Sequence, residues 1–362
     1  MNKSIYEKIC KNIENGVLRD DFYLPNDDAD RSPVYFAPGA FDGVCMYHMG
    51  FSPLDAEAYR RMAQAIRTAA AGDVPEADKK FHAWTKDHQT VSYIDDLQHY
   101  VVEHAAKLDA GRLHHAALSL LLKSSYIECV KVGLALLEMF GEPDDKLKEM
   151  IRRIGLYDEF TIFSVWNMRG WENGNEEIFA LARKTHGWGR IHAAECLEPE
   201  TEEIRYWLLT EGVKNNVMYA YSALPCWQKS DAERILFRKP TQEEYEAIAI
   251  LIESLLDEGP VSGISELDHA EKILLRFLAL SPEYNLTADD YNVIFSIKEW
   301  ADDEEHPYPS VAEAAYEILH SAACTAAVEN AVKEGRELSV AEALGISLKN
   351  GGNKRCMKEK LS

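Results

Sequence analysis

The sequence predicts an all-α protein, an α–α superhelix of stacked helix pairs of the HEAT-like or armadillo-like kind. Three observations carry this. Amphipathic segments of helical period fill most of the 362 residues, and strand alternation and hairpin signals are nearly absent. Between Ser124 and Trp227 three such segments, 146–155, 177–187 and 203–212, each close on a glycine: Gly155, Gly187 and Gly212. A helical unit that recurs every 25 to 32 residues cannot bury its apolar face alone, and stacking on its neighbours is the solution.

Taken in order, residues 2–14 predict a short helix from Ile5, Ile9 and Ile13. From Gly16 to Ser52 the periodicity breaks into a loop with Pro25, Pro33 and Pro38, and within it lies an apolar, glycine-punctuated stretch from Tyr35 to Gly50. A loop of that length is expected to be functional or to cap something. Helical patterns resume from Pro53 and pair off as His114–Leu122 with Ile127–Phe140. They continue as Tyr157–Met168, Glu176–Lys184, Arg190–Leu197, Glu200–Leu209, Asn216–Leu224 and Ser230–Phe237. Beyond Pro240 come Gln242–Leu256, Ser265–Leu280, Ala288–Trp300, Ser310–Ala327 and Ser339–Leu344. Thr241 and Thr287, each followed by acidic residues, serve as helix starts. The domain reading is a cap over 1–52, a solenoid over 53–345 with a break near 240, and a basic, disordered tail over 346–362.

Net charge is −22, distributed as −5 over 1–140, −3 over 141–240 and −14 over 241–362. An acidic surface repels polyphosphate and counts against nucleic acid as a partner. The seven cysteines (Cys10, Cys45, Cys129, Cys196, Cys226, Cys324 and Cys356) form no CxxC pair, which fits free thiols in a reducing compartment. No apolar run approaches the roughly 18 residues of a membrane span. The expectation is a soluble, cytoplasmic protein with no membrane partner.

Three constellations could carry chemistry. The first is Trp188-Gly189-Arg190-Ile191-His192-Ala193-Ala194-Glu195. If Ile191 and Ala194 face inward, Arg190, His192 and Glu195 stand near an exposed rim. Trp166, Arg169, Asn216 and Tyr219 occupy equivalent places in the flanking repeats, so that aromatics alternate with Arg, Asn and His along one ridge suited to a protein or peptide ligand. The competing reading makes Trp188 a buried spacer and Arg190 an inter-repeat ion-pair partner. The second constellation is Asp42 with His48, either a carboxylate–imidazole pair or parts of a hydrophobic plug with Asp42-Gly43 as a turn. The third comprises metal patterns: Asp95, His99 and Glu103 on one helical face, and the ExxH at Glu317–His320. A di-iron carboxylate site needs two ExxH pairs, so surface charge pairing is the simpler account and no metal is expected. Phosphate-loop, dinucleotide and nucleophile-elbow fingerprints are missing, so no cofactor is expected either.

Two stretches, Phe36–Gly43 with Tyr47-His48, and Gly187–His192 with Leu197-Glu198-Pro199, resemble a group of bacterial HEAT-like proteins, some labelled limonene hydroxylase. The resemblance implies a HEAT-like solenoid and, through that label, a monooxygenase acting on a small hydrophobic substrate. The leading expectation is a protein- or peptide-binding module using the ridge. A second alternative is DNA binding in the manner of HEAT-like DNA glycosylases, through Arg152, Arg153, Arg183, Lys184 and Arg190.

Overall fold

The computed structural model describes residues 3–24, 36–49, 53–259, 261–303 and 307–347. Tyr35, Gly50, the acidic residues around 304–306, Cys356 and the basic tail from Lys349 lie outside them. The chain is an all-α helical-repeat protein and divides into two compact units, 1–230 and 231–362.

The first unit opens with helix α1 (Ile5–Cys10), capped by the Ser4 hydroxyl on the Glu7 amide. The helix expected over 2–14 stops there, because residues 13–18 form a small antiparallel hairpin of β1 (Ile13–Glu14) and β2 (Val17–Leu18). The turn is Asn15-Gly16, both at positive φ (53° and 80°), the sequence pair that favours such a turn. Next come α2 (Ala40–His48), α3 (Ala56–Ala71), α4 (Val74–Thr85), α5 (Ile94–Glu103), α6 (Ala110–Lys123), α7 (Ile127–Leu137) and α8 (Asp145–Gly155). After these follow α9 (Asp158–Arg169), α10 (Gly174–Ala182), α11 (Trp188–Cys196), α12 (Glu202–Thr210) and α13 (Ala220–Lys229).

The helices pack as successive pairs, α3 with α4, α6 with α7, α8 with α9, α10 with α11 and α12 with α13. The second members of the last four pairs, α7, α9, α11 and α13, lie side by side as one layer. Its interior is apolar: Leu134, Leu136, Phe160, Phe163, Ile191 and Ala193 are buried, and burial of this kind stabilises by about 1.5–3 kcal/mol per large side chain. Amphipathic first helices such as α8, with Leu147, Ile151 and Ile154 inward, cover one side of the layer. Asn215 accepts from the Val217 and Met218 amides, a local turn that delays α13 from the expected Asn216 to Ala220.

The second unit contains α14 (Ala232–Phe237), α15 (Gln242–Leu256), α16 (Ala270–Leu280), α17 (Ala288–Asp302), α18 (Pro309–Leu319), α19 (Ala322–Lys333) and α20 (Ser339–Ala343). Thr241 and Thr287 are N-caps with full capping boxes. The single helix expected over 310–327 is two, because Ser321 turns its hydroxyl to the Cys324 amide and starts α19 afresh. Tyr245 is the core of this unit, stacked between Phe277 and Tyr284 at 4.6 and 4.3 Å. No helix among the described residues is long and apolar enough to cross a membrane.

Candidate functional site

The segment read from sequence as a loop folds as α2, and it lies on the α7–α9–α11–α13 layer. A mid-helix glycine costs about 1 kcal/mol against alanine, which is why the segment does not read as a helix. Here the glycine is what lets the helix dock. A Cβ on Gly43 would stand 2.2 to 2.7 Å from three atoms of the Trp188 ring, so the backbone of α2 rests on the indole face with no room for a side chain.

Upstream of that contact, α2 meets a buried charge cluster. Lys131, from the middle of α7, is 0 % exposed. Its Nζ lies 2.7 Å from Asp42 Oδ2, 2.8 Å from Glu128 Oε1 and 2.6 Å from Glu159 Oε1. Burial works against the ammonium, but Asp42, Glu128 and Glu159 together hold its pKa well above the ordinary lysine value. The three carboxylates are not equivalent. Glu128 Oε2 also accepts the Thr90 amide at 2.7 Å, and Glu159 Oε2 accepts the Gly39 amide at 2.7 Å. Among the described residues Asp42 has no aligned hydrogen bond to either oxygen, and the Lys131 ammonium at 2.7 Å is its one charged partner of opposite sign. Burial, reinforced by Glu159 and Glu128 and opposed by Lys131, pushes its pKa up to about 7. Three oxygens of this cluster approach one another closely enough to hold a metal ion, but the lysine ammonium already stands at their centre.

Next to the cluster, burial also lifts Asp158 to about 7, although its carboxylate accepts the Gly187 and Gly189 amides at the start of α11. Those glycines make room for this carboxylate, which a Cβ at either position would strike.

Downstream of Gly43 the contacts become aromatic. Tyr47 donates to Glu195 Oε2 at 2.6 Å and its ring stacks on His192 at 6.3 Å. His48 Nε2 is 2.7 Å from the Tyr221 hydroxyl, and Tyr221 packs on Trp188 at 4.7 Å. His192 is fully buried, with neither ring nitrogen paired among the described residues; burial lowers its pKa to about 4.

Several expectations need correction. Arg190 and His192 do not stand on an exposed rim. Arg190 is buried, donating from Nε to Thr185 O at 2.7 Å and from Nη1 to Lys214 O at 2.8 Å. Its role is to tie the chain before α11 to the loop before α13, and it pairs with backbone rather than with an acidic side chain. Asp42 and His48 are not a pair: six positions apart on one helix, they face Lys131 and Tyr221 respectively. Asp42-Gly43 is helical, not a turn. Of the proposed ridge, Trp188, His192 and Glu195 converge beneath α2. Trp166 packs edge-on to Phe163 at 5.2 Å, Arg169 is exposed at the end of α9, and Asn216 and Tyr219 are exposed before α13. Asp95, His99, Glu103, Glu317 and His320 are all exposed, and none belongs to the metal-competent cluster.

Sequence reasoning missed Lys131, Glu128 and Glu159. The signal was present: one lysine inside the apolar run Cys129-Val130-Lys131-Val132-Gly133-Leu134, a residue that is almost never buried without a partner.

The basic residues considered for DNA are largely committed to other partners. Arg152 is paired bidentately with Glu177 at 2.8 and 2.6 Å, Arg153 with Glu149 at 2.7 Å, and Arg183 with Glu203 at 3.4 Å. A cavity of about 320 Å³ opens between α1, α8 and α10, lined by Cys10, Ile13, Arg152, Met168 and Lys184 among others. It shares no residue with the α2 contacts. The chain matches no family model, no curated protein and no solved structure.

Proposed function

We propose that this chain is a binding module whose α7–α9–α11–α13 layer recognises a helical protein segment, and that α2 fills that place in cis. The observation carrying this is how α2 is seated. A helix merely covering an apolar face would need only hydrophobic contact. This one engages a charged socket (Lys131), a flat plate that accepts only glycine (Trp188), and a carboxylate that takes a tyrosine hydroxyl (Glu195). Such positional demands are those of helix-in-groove recognition, with anchors spaced along one helix face. The pairing of Arg152, Arg153 and Arg183 with glutamates, together with the net charge of −22, favours a protein partner over a nucleic acid.

The test separates groove from occupant. A Gly43→Ala chain, whose own α2 docks more weakly because the new Cβ meets the Trp188 ring, is titrated with a fluorescent synthetic peptide of residues 36–49 carrying the native glycine. Saturable binding that weakens when Lys131 is replaced by methionine is expected. No binding to the Gly43→Ala chain would refute the reading.

A further inference from the structure

Resting on the reading of this layer as a helix-binding surface, we infer that α2 is a weak resident. The layer's preferred ligand is a helix carrying asparagine where α2 carries Asp42, then glycine, then tyrosine four residues further on.

The charge count of the socket carries the argument. Without α2, Lys131 is met by Glu128 and Glu159, one ammonium against two carboxylates, and each glutamate keeps a second hydrogen bond only if its backbone donor is present. Docking α2 adds a third carboxylate from Asp42 to a site where Lys131 is the one paired cation among the described residues. The charged groups facing Asp42 are Lys131 and Glu128 from α7 and Glu159 from α9; α11 presents the uncharged Trp188, and the turn at residues 90–93 presents the Thr90 amide to Glu128. A buried carboxylate among like charges is disfavoured. Its bare Oδ1 is the direct sign of this, and the raised pKa agrees with it.

An asparagine in that place adds no charge. Its amide oxygen accepts from the Lys131 ammonium, and its NH₂ donates toward the carboxylate oxygens that Asp42 can only repel. A protonated aspartic acid likewise offers a donor beside an acceptor and carries no charge, so α2 should approach the asparagine helix as a ligand only on acidification. The Gly43 and Tyr47 positions are fixed by the Trp188 face and by Glu195, which leaves the first position as the one where a partner can outcompete the resident helix.

The experiment compares two synthetic peptides of residues 36–49, native and Asp42→Asn, titrated into the full-length Gly43→Ala chain at pH 8 and pH 5.5. The asparagine peptide is expected to bind at least about tenfold tighter at pH 8, with the advantage shrinking severalfold at pH 5.5 because a buried carboxyl gains about tenfold per pH unit as it takes up a proton. Equal or tighter binding of the native peptide at pH 8, or an advantage unchanged by pH, overturns the inference while leaving the helix-binding reading intact. Failure of both peptides to bind refutes that reading and this inference with it. Should the Gly43→Ala chain not fold, hydrogen-exchange protection of Val44–Tyr47 in the full-length Asp42→Asn protein decides. It is expected to exceed the native chain's at pH 8, and equal or lower protection overturns the inference.

Discussion

Replacing Gly43 with alanine perturbs one contact whose cost follows from the coordinates. The new Cβ would lie 2.2 Å from Trp188 Cε3 and 2.3 Å from Cζ3. Restoring a van der Waals separation of about 3.5 Å requires α2 to retreat by roughly 1.3 Å. A retreat of that size lengthens the 2.7 Å Asp42–Lys131 and 2.6 Å Tyr47–Glu195 contacts beyond useful range. The indole cannot move away instead, because it is buried and held by Tyr47 and Tyr221. Overpacking of this kind costs about 1–3 kcal/mol. Alanine returns at most about 1 kcal/mol by favouring the helix, and only in the docked state, since a nine-residue helix is not stable alone. The balance is about 1–2 kcal/mol against docking, which is roughly five- to thirtyfold in the docking equilibrium. Hydrogen exchange across residues 40–48 reads that ratio directly. A double-mutant cycle with Trp188→Ala assigns the cause: with the ring gone, Gly43→Ala should change sign and protect α2. Unchanged or increased protection in the single Gly43→Ala variant would refute the close-approach argument.

Other perturbations have equally definite outcomes. Lys131→Met leaves the buried Asp42 and the part-buried Glu128 and Glu159 without their cation and should cost about 3–5 kcal/mol in urea denaturation, with part of the loss recovered at pH 5, where the Asp42 carboxyl holds its proton. Asp42 and Asp158 both sit at about 7 when folded against 3.8 when unfolded. Folding therefore takes up protons between about pH 4 and 7, and stability contributed by these groups falls as pH rises through that window, by up to about 1.4 kcal/mol per unit for each. Asp42→Asn with Asp158→Asn should flatten the profile measured by chemical denaturation. His192 acts in the opposite sense: lowered from 6.5 to about 4, it costs stability as pH falls through that interval, because the unfolded imidazole protonates first. His192→Phe keeps the stacking and should steepen the decline with rising pH between 4 and 6.5; an unaltered slope would count against the burial of a neutral imidazole.

Much of the first-order architecture is local and was therefore legible. Apolar periodicity delimited α8, α9, α10 and α15 to within a few residues, and the two threonine caps were readable because a cap is a contact between residues three apart. The hairpin at Asn15-Gly16 had its own local signal, the dipeptide itself. The break at Ser321 had a local signal too, a serine cap set inside a continuous apolar pattern, but periodicity reads each of these two segments as a single helix and misses the hairpin and the break.

What the chain alone determined is that helices of this length and pattern, unable to bury their faces singly, stack in pairs. What only the tertiary structure decided is the site. Asp42, Lys131 and Glu159 are 89 and 28 residues apart along the chain, and no periodicity relates them. Gly43 reads as a helix breaker until the Trp188 ring beneath it is known. His192 and Arg190 read as exposed polar residues until α2 and the backbone carbonyls around Arg190 bury them. Periodicity records which face of a helix is apolar. It carries no information about which distant segment comes to lie on that face, because that is set by the balance of charge, shape and hydrogen bonding across the contact.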